Sequence, residues 1–138
     1  MKKDFEVIEH TADTGIIAHG ADMKEAFANA ASGMFSLITD LEGIREVSHR
    51  DVMVEAAERE SLLVEWLNEL VFLFDTQNML FSRFDIGELS DTVLRARCFG
   101  EKADLSRHEI KIGIKAVTYH MLEVEENDGF RVQALFDI

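Results

Sequence analysis

The hydrophobic pattern changes period once along this chain, and that change limits the folds open to it. Up to Asn78 two long stretches repeat at helical spacing. From Met79 onward apolar and polar residues alternate almost to the last residue. The first helical stretch places Met23, Phe27, Ala30, Met34, Leu37 and Ile38 on one face. Asp22 stands at the N-cap position, with Glu25 where a capping box needs it. Gly33 interrupts the run at about 1 kcal/mol relative to alanine, which points to close packing against a sheet. The helix is expected to end near Thr39 and Asp40. The second helix starts near Arg59–Ser61 and presents Leu62, Leu63, Trp66, Leu67, Leu70, Val71 and Phe74. Phe72 and Leu73 widen its apolar stripe almost to the full circumference, so it should be buried on most sides.

Two strands, Phe5–His10 and Gly15–His19, precede the first helix, and Asp51–Ala56 reads as a strand between the helices. The later strands are expected over Met79–Ile86, Asp91–Phe99, Glu109–Thr118, Tyr119–Glu125 and Phe130–Phe136. Asn127-Asp128-Gly129 is a hairpin turn signal. Glu42–Arg50 and Gly100–His108 read as polar connections. The order is β-β-α-β-α followed by several antiparallel strands, an α+β arrangement with two helices packed on sheet. A length of 138 residues fits one domain, residues 1–138, and 47% hydrophobic content supplies its core. The chain contains no proline, for which we have no physical account.

Charge excludes several functions. Acidic residues number 27 against 14 basic ones, a net charge of −13. Such a surface repels phosphate backbones, and no cluster of Lys and Arg offsets it, so direct nucleic-acid binding is not expected. A basic protein partner or a bound cation suits the charge better. Cys98 is the lone cysteine, which excludes an internal disulfide and a zinc set; among alternating strand residues it reads as a buried, inert thiol. Met1-Lys2-Lys3-Asp4 lacks the apolar run of a signal peptide, and no stretch approaches a membrane span. A cytoplasmic protein is the expectation.

No phosphate-binding loop, dinucleotide fingerprint or nucleophile elbow occurs. The histidines at 10, 19, 49, 108 and 120 make no metal-ligand pair at helical spacing. His49 and His108 fall in polar loops and are expected to be solvated, while His19 closes a strand. His10 and His120 stand where polar groups gather, each readable as structural or as part of a site. Lys115 is either solvent-facing or the neutraliser of a nearby carboxylate. Asp13, in the polar turn His10-Thr11-Ala12-Asp13-Thr14-Gly15, and the terminal pair Asp137 and Ile138 form an oxygen-rich set. They are either solvated carboxylates on an acidic surface or, if the ends of the chain meet, a hard-cation site. Close carboxylates need raised pKa values, a lysine or a metal to offset their repulsion. Oxygen donors of this kind suit Ca²⁺ or Mg²⁺ and suit zinc poorly.

The same stretches carry a resemblance. His10-Thr11-Ala12-Asp13-Thr14-Gly15, Leu62-Leu63-Val64-Glu65-Trp66-Leu67-Asn68-Glu69-Leu70, Ile114-Lys115-Ala116-Val117-Thr118-Tyr119-His120 and Phe136-Asp137-Ile138 occur in the order of the archease family, which the sequence resembles along its whole length. The Glu42–Arg50 and Gly100–His108 segments match loosely. The resemblance implies a calcium site at Asp13, Asp137 and Ile138, with His10, Lys115 and His120 as accessory or ligase-contact candidates. It also implies a non-enzymatic, chaperone-like activator of an RtcB-type tRNA ligase, promoting guanylylation and multiple turnover in tRNA splicing. Two other readings stay open: a metal-dependent hydrolase using Asp13 with His10 or His120 as base, and a general chaperone. The first lacks a nucleophile or second metal set. The second calls for an exposed apolar patch.

Overall fold

A computed structural model describes residues 4–9 and 14–138. The order is β1 (Phe5–Glu9), β2 (Thr14–Gly20), α1 (Met23–Ile38), β3 (Ser48–Glu55), α2 (Arg59–Gln77), β4 (Met79–Leu89), β5 (Val93–Lys102), β6 (Ala116–Glu126) and β7 (Phe130–Asp137). The α+β reading holds. The strands form two antiparallel sheets, ordered β1-β2-β7-β6 and β3-β5-β4. Each helix touches both: α1 packs on β2, β7 and β4, and α2 on β6 and the β3-β5-β4 sheet.

The helix signals read from the sequence operate as expected. Asp22 Oδ1 accepts the Glu25 amide at 2.8 Å; the Glu25 carboxylate accepts from the Ala21 amide at 3.1 Å, one residue before the Asp22 amide that a capping box uses. A Cβ on Gly33 would stand 3.1 Å from the Phe5 ring and 3.2 Å from Ile16, so the missing side chain lets α1 lie close on the sheet. At the end of α2, Asn78 takes the left-handed conformation (φ 55°) and its amide caps the Leu73 and Phe74 carbonyls, a role asparagine fills well.

The core lies between the helices and sheets. Phe35 meets Phe81 edge-on at 5.7 Å and stacks on Phe84 at 5.9 Å. Trp66 is fully buried, and its Nε1–H donates to the Phe27 carbonyl at 3.0 Å, tying α2 to α1. Removing that side chain leaves a large void and breaks the tie between α2 and α1. Trp66→Ala should therefore lower unfolding free energy by about 3–5 kcal/mol, read from urea titration. Phe72 departs from the expected wraparound burial: it is 55% exposed, because the stripe on α2 is wide but does not close.

Two strand expectations are corrected. Ser48–Arg50 belong to β3, opposite Gly100, Phe99 and Cys98, and Gly100–Lys102 belong to β5, opposite Phe81, Leu80 and Met79 of β4, despite polar sequence. Backbone pairing does not need apolar side chains on a solvated face. The second correction concerns 109–125. Residues 109–115 alternate in burial as read, yet they form no strand: the Lys111 amide donates to the Ile38 carbonyl at the end of α1, at 2.7 Å, and the segment meets β7 at Lys115. The expected Tyr119–Glu125 strand is the continuation of β6, broken by a bulge between Thr118 and Glu123.

Candidate functional site

Strand register decides what the two ends of the chain can do together. Thr14, the first residue of β2, pairs with Phe136, and Asp137 pairs with Ala116 of β6. The neighbour of β7 is thus β2 and not the first strand. Thr14 and the end of β7 thus meet at one corner of the sheet. Asp13 and His10 themselves lie outside the described residues.

Side chains alternate along β7. Val132, Ala134 and Phe136 enter the core, so Gln133, Leu135 and Asp137 share the opposite face. Leu135 is nonetheless fully buried there. It lies across Gly15, whose Cβ would stand 2.5 Å from Leu135 Cδ2 and 2.4 Å from the Ala134 carbonyl oxygen. Gly15 is therefore required by close approach, beyond its value as a turn residue. Thr14 Oγ1 donates to the Ile8 carbonyl at 3.1 Å and secures β1 beside it.

Asp137 and Ile138 are both exposed, and the Lys115 amide donates to the Asp137 carbonyl at 2.8 Å. The chain end is thereby fixed while its side-chain carboxylate faces solvent. Lys115, Asp137 and Ile138 are brought together. His120 is exposed and lies past Thr118, away from the Asp137 end of β6. Among the described residues, no group of three His, Cys, Asp or Glu side chains could hold a metal ion by itself.

Sequence reasoning missed Gln133 and the shape of β6. Tyr119, His120, Met121 and Leu122 stand against Ala134 alone, which makes a bulge in β6. Gln133, 6% exposed, donates from Nε2 to the Met121 carbonyl at 2.9 Å. No sequence signal marks that bond, since Gln133 reads as one polar residue in an alternating strand.

A second polar cluster sits at the far end of β5. His108, expected to be solvated, is 4% exposed. Its Nδ1 accepts the Asp104 amide at 2.9 Å, which puts the proton on Nε2, facing Glu101 at 3.0 Å and the Gly43 carbonyl at 3.1 Å. Glu101 also accepts from the Arg45 amide at 2.7 Å and from Arg107. Burial pushes the Glu101 carboxyl up, but the Arg45 amide, His108 and Arg107 outweigh it and hold it below its ordinary 4.5. The stability it contributes is present above that value and is lost as pH falls through the lowered one. Glu101→Gln should cost about 2–3 kcal/mol at neutral pH, and the gap from the unsubstituted chain should close as pH drops below 4.5. Denaturant melts across that range measure it. The groups in this cluster satisfy one another and brace two loops.

Cys98 is fully buried, and burial pushes its thiol up to about 12, followed by the charges of Asp51 and Asp85. It supplies no nucleophile. No helix among the described residues is long and apolar enough to cross a membrane.

Comparison with known proteins agrees over nearly the whole chain. The profile of the Archease protein family matches residues 5–138. Proteins named archease from Methanosarcina mazei and Sulfurisphaera tokodaii are 38% and 36% identical; the matches cover 99% and 93% of this chain and 97% and 93% of theirs. The solution structure of Methanobacterium thermoautotrophicum protein 1598 superposes with a TM-score of 0.83 at 37% identity, covering 98% of this chain and 99% of that one. A Thermotoga maritima crystal structure, described as an archease and possible chaperone, shares the fold at a TM-score of 0.65 and 23% identity, covering 100% of this chain and 98% of its own.

Proposed function

The chain belongs to the archease family, and on that premise we propose that it is a metal-binding activator of an RtcB-type RNA ligase in tRNA splicing. It promotes guanylylation and repeated turnover of the ligase and performs no chemistry alone. The observation that carries the site is the register of Thr14 with Phe136 beside that of Ala116 with Asp137. Asp13 is one peptide bond from Thr14, a Cα separation of about 3.8 Å, which supports assigning its carboxylate to one site with Asp137 and Ile138. Two carboxylates and a terminal oxygen repel unless a cation joins them. Their hard oxygens suit Ca²⁺, or Mg²⁺. Lys115, bonded through its backbone to Asp137, is the adjacent positive group. His10 belongs to the same turn, and His120 is available for contact with the ligase. The chain is cytoplasmic in this reading.

The test is ligation of tRNA halves at limiting ligase, with GTP and a divalent metal. Addition of the chain should raise product well above one equivalent per ligase. Steady phosphoester hydrolysis by the isolated chain, abolished by Asp13→Ala, would instead establish the hydrolase reading. The net charge of −13 carries a further expectation. Anisotropy titrations with isolated tRNA at physiological salt should stay flat, because the ligase holds the RNA.

A further inference from the structure

The bulge of β6 presents an uncovered apolar surface between two anchors. α2 runs antiparallel along β6: Arg59 pairs with Glu126 at 3.6 Å, and Asn68 Oδ1 accepts the Val117 amide at 2.9 Å. Between those points Tyr119 is 62% exposed and Met121 is 47% exposed. Scattered exposed apolar side chains are ordinary, but these two stand on a strained and pinned backbone. Met121 has a φ of 55°, the left-handed region that residues with a Cβ seldom enter. It is held there by the Gln133 bond to its carbonyl, while the His120 amide donates to Thr118 Oγ1 at 3.3 Å. Strain of this kind persists only where the surroundings impose it, and it gathers at functional positions. A pinned backbone also spares a binding surface the cost of ordering.

The rim of this surface is acidic. Glu65 is exposed on α2 between the same anchors, and Glu123 and Glu125 follow the bulge in β6. Of the nearby cations, Arg131 is engaged with Glu123 at 2.8 Å and Glu125 at 3.8 Å, and Arg59 with Asp91 at 3.2 Å and Glu126 at 3.6 Å. The complement of an apolar centre ringed by carboxylates is an apolar hollow ringed by cations.

Resting on the ligase reading above, we infer that the β6 bulge is the surface by which this chain docks on the ligase, and that it engages a basic protein surface with a hollow for Tyr119 and Met121. A protein that holds RNA carries such positive charge. Docking and metal binding are then separate tasks at separate places: the bulge holds the partner, and the chain end holds the cation.

The experiment measures ligation at limiting ligase against the concentration of this chain, with Ca²⁺ titration and thermal melting of each variant. For Tyr119→Ser/Met121→Gly, the concentration for half-maximal activation should rise on the order of tenfold or more. Ca²⁺ affinity should be unchanged, and the melting temperature should not fall, because glycine accepts the left-handed conformation. Met53→Ser, at a residue 46% exposed on β3, should activate normally. If the double variant melts early, Tyr119→Ser alone decides, with a smaller rise expected. If the unsubstituted chain does not activate the ligase, the ligase reading fails and docking fails with it. If it does activate and the bulge variants match it, or Met53→Ser is equally impaired, the ligase reading stands and the docking inference is overturned.

Discussion

Calorimetric titration of Ca²⁺ into an Asp137→Ala variant should give no binding heat, and the variant should no longer activate a ligase. The substitution removes one carboxylate from an exposed position at the end of β7. The bond between the Lys115 amide and the backbone carbonyl of residue 137 is untouched, so stability should stay within about 0.5 kcal/mol. Loss of binding with retention of fold is the signature of a ligand, because a bracing residue would lose both. Asp13→Ala should behave the same way. The double variant should be no worse than either single one, since both act on one site. Additive, partial losses would mean separate sites, and unchanged binding in both would return these carboxylates to the role of solvated surface charge.

Gly15→Ala should impair the same site without touching a carboxylate. A methyl group there would meet the Ala134 carbonyl oxygen at 2.4 Å and Leu135 Cδ2 at 2.5 Å. Leu135 is fully buried and Ala134 is part of the strand, so the strain can be relieved only by parting β2 from β7. The expected cost is about 1–3 kcal/mol or more. The same displacement separates Thr14 from Phe136, the register on which the proposed cation site rests, so Ca²⁺ affinity should fall as well. Gly113→Ala, where nothing stands within 4 Å of the added Cβ, should change neither stability nor affinity. Urea titration and calorimetry on the pair separate a specific close approach from a general effect of replacing glycine.

Local signals in the sequence were legible where they act on the chain near by. The Asp22 cap, the close packing at Gly33 and the burial of Cys98 each follow from residue type and immediate neighbours. What failed depended on distant partners. Ile110, Ile112 and Ile114 alternate like a strand, yet the segment bonds to the end of α1, and alternation alone does not name a partner. His108 reads as a loop histidine because nothing local reveals that Glu101 and Gly43 enclose it. The β6 bulge was hidden for the same reason, since its cause is Gln133 in the next strand. The division of the seven strands among the described residues into two sheets is likewise a matter of long-range pairing. At the candidate site the residues could be named from sequence and family resemblance, but their meeting could not. The described register brings Thr14 to the end of β7, while Asp13 and His10 lie outside the described residues.

The most direct measurement compares Ca²⁺ affinity and ligase activation in two forms of the chain, one tagged before Met1 and one extended past Ile138. Extension converts the Ile138 carboxylate to a neutral peptide carbonyl and sends the chain onward from a corner where Asp137 and Ile138 are exposed together. The form tagged before Met1 should bind Ca²⁺ and activate as the untagged chain does. The extended form should bind weakly and activate poorly, since a hard cation loses a full negative charge from its ligand set. Equal affinity and equal activation in the two forms would contradict a cation site built on the end of the chain.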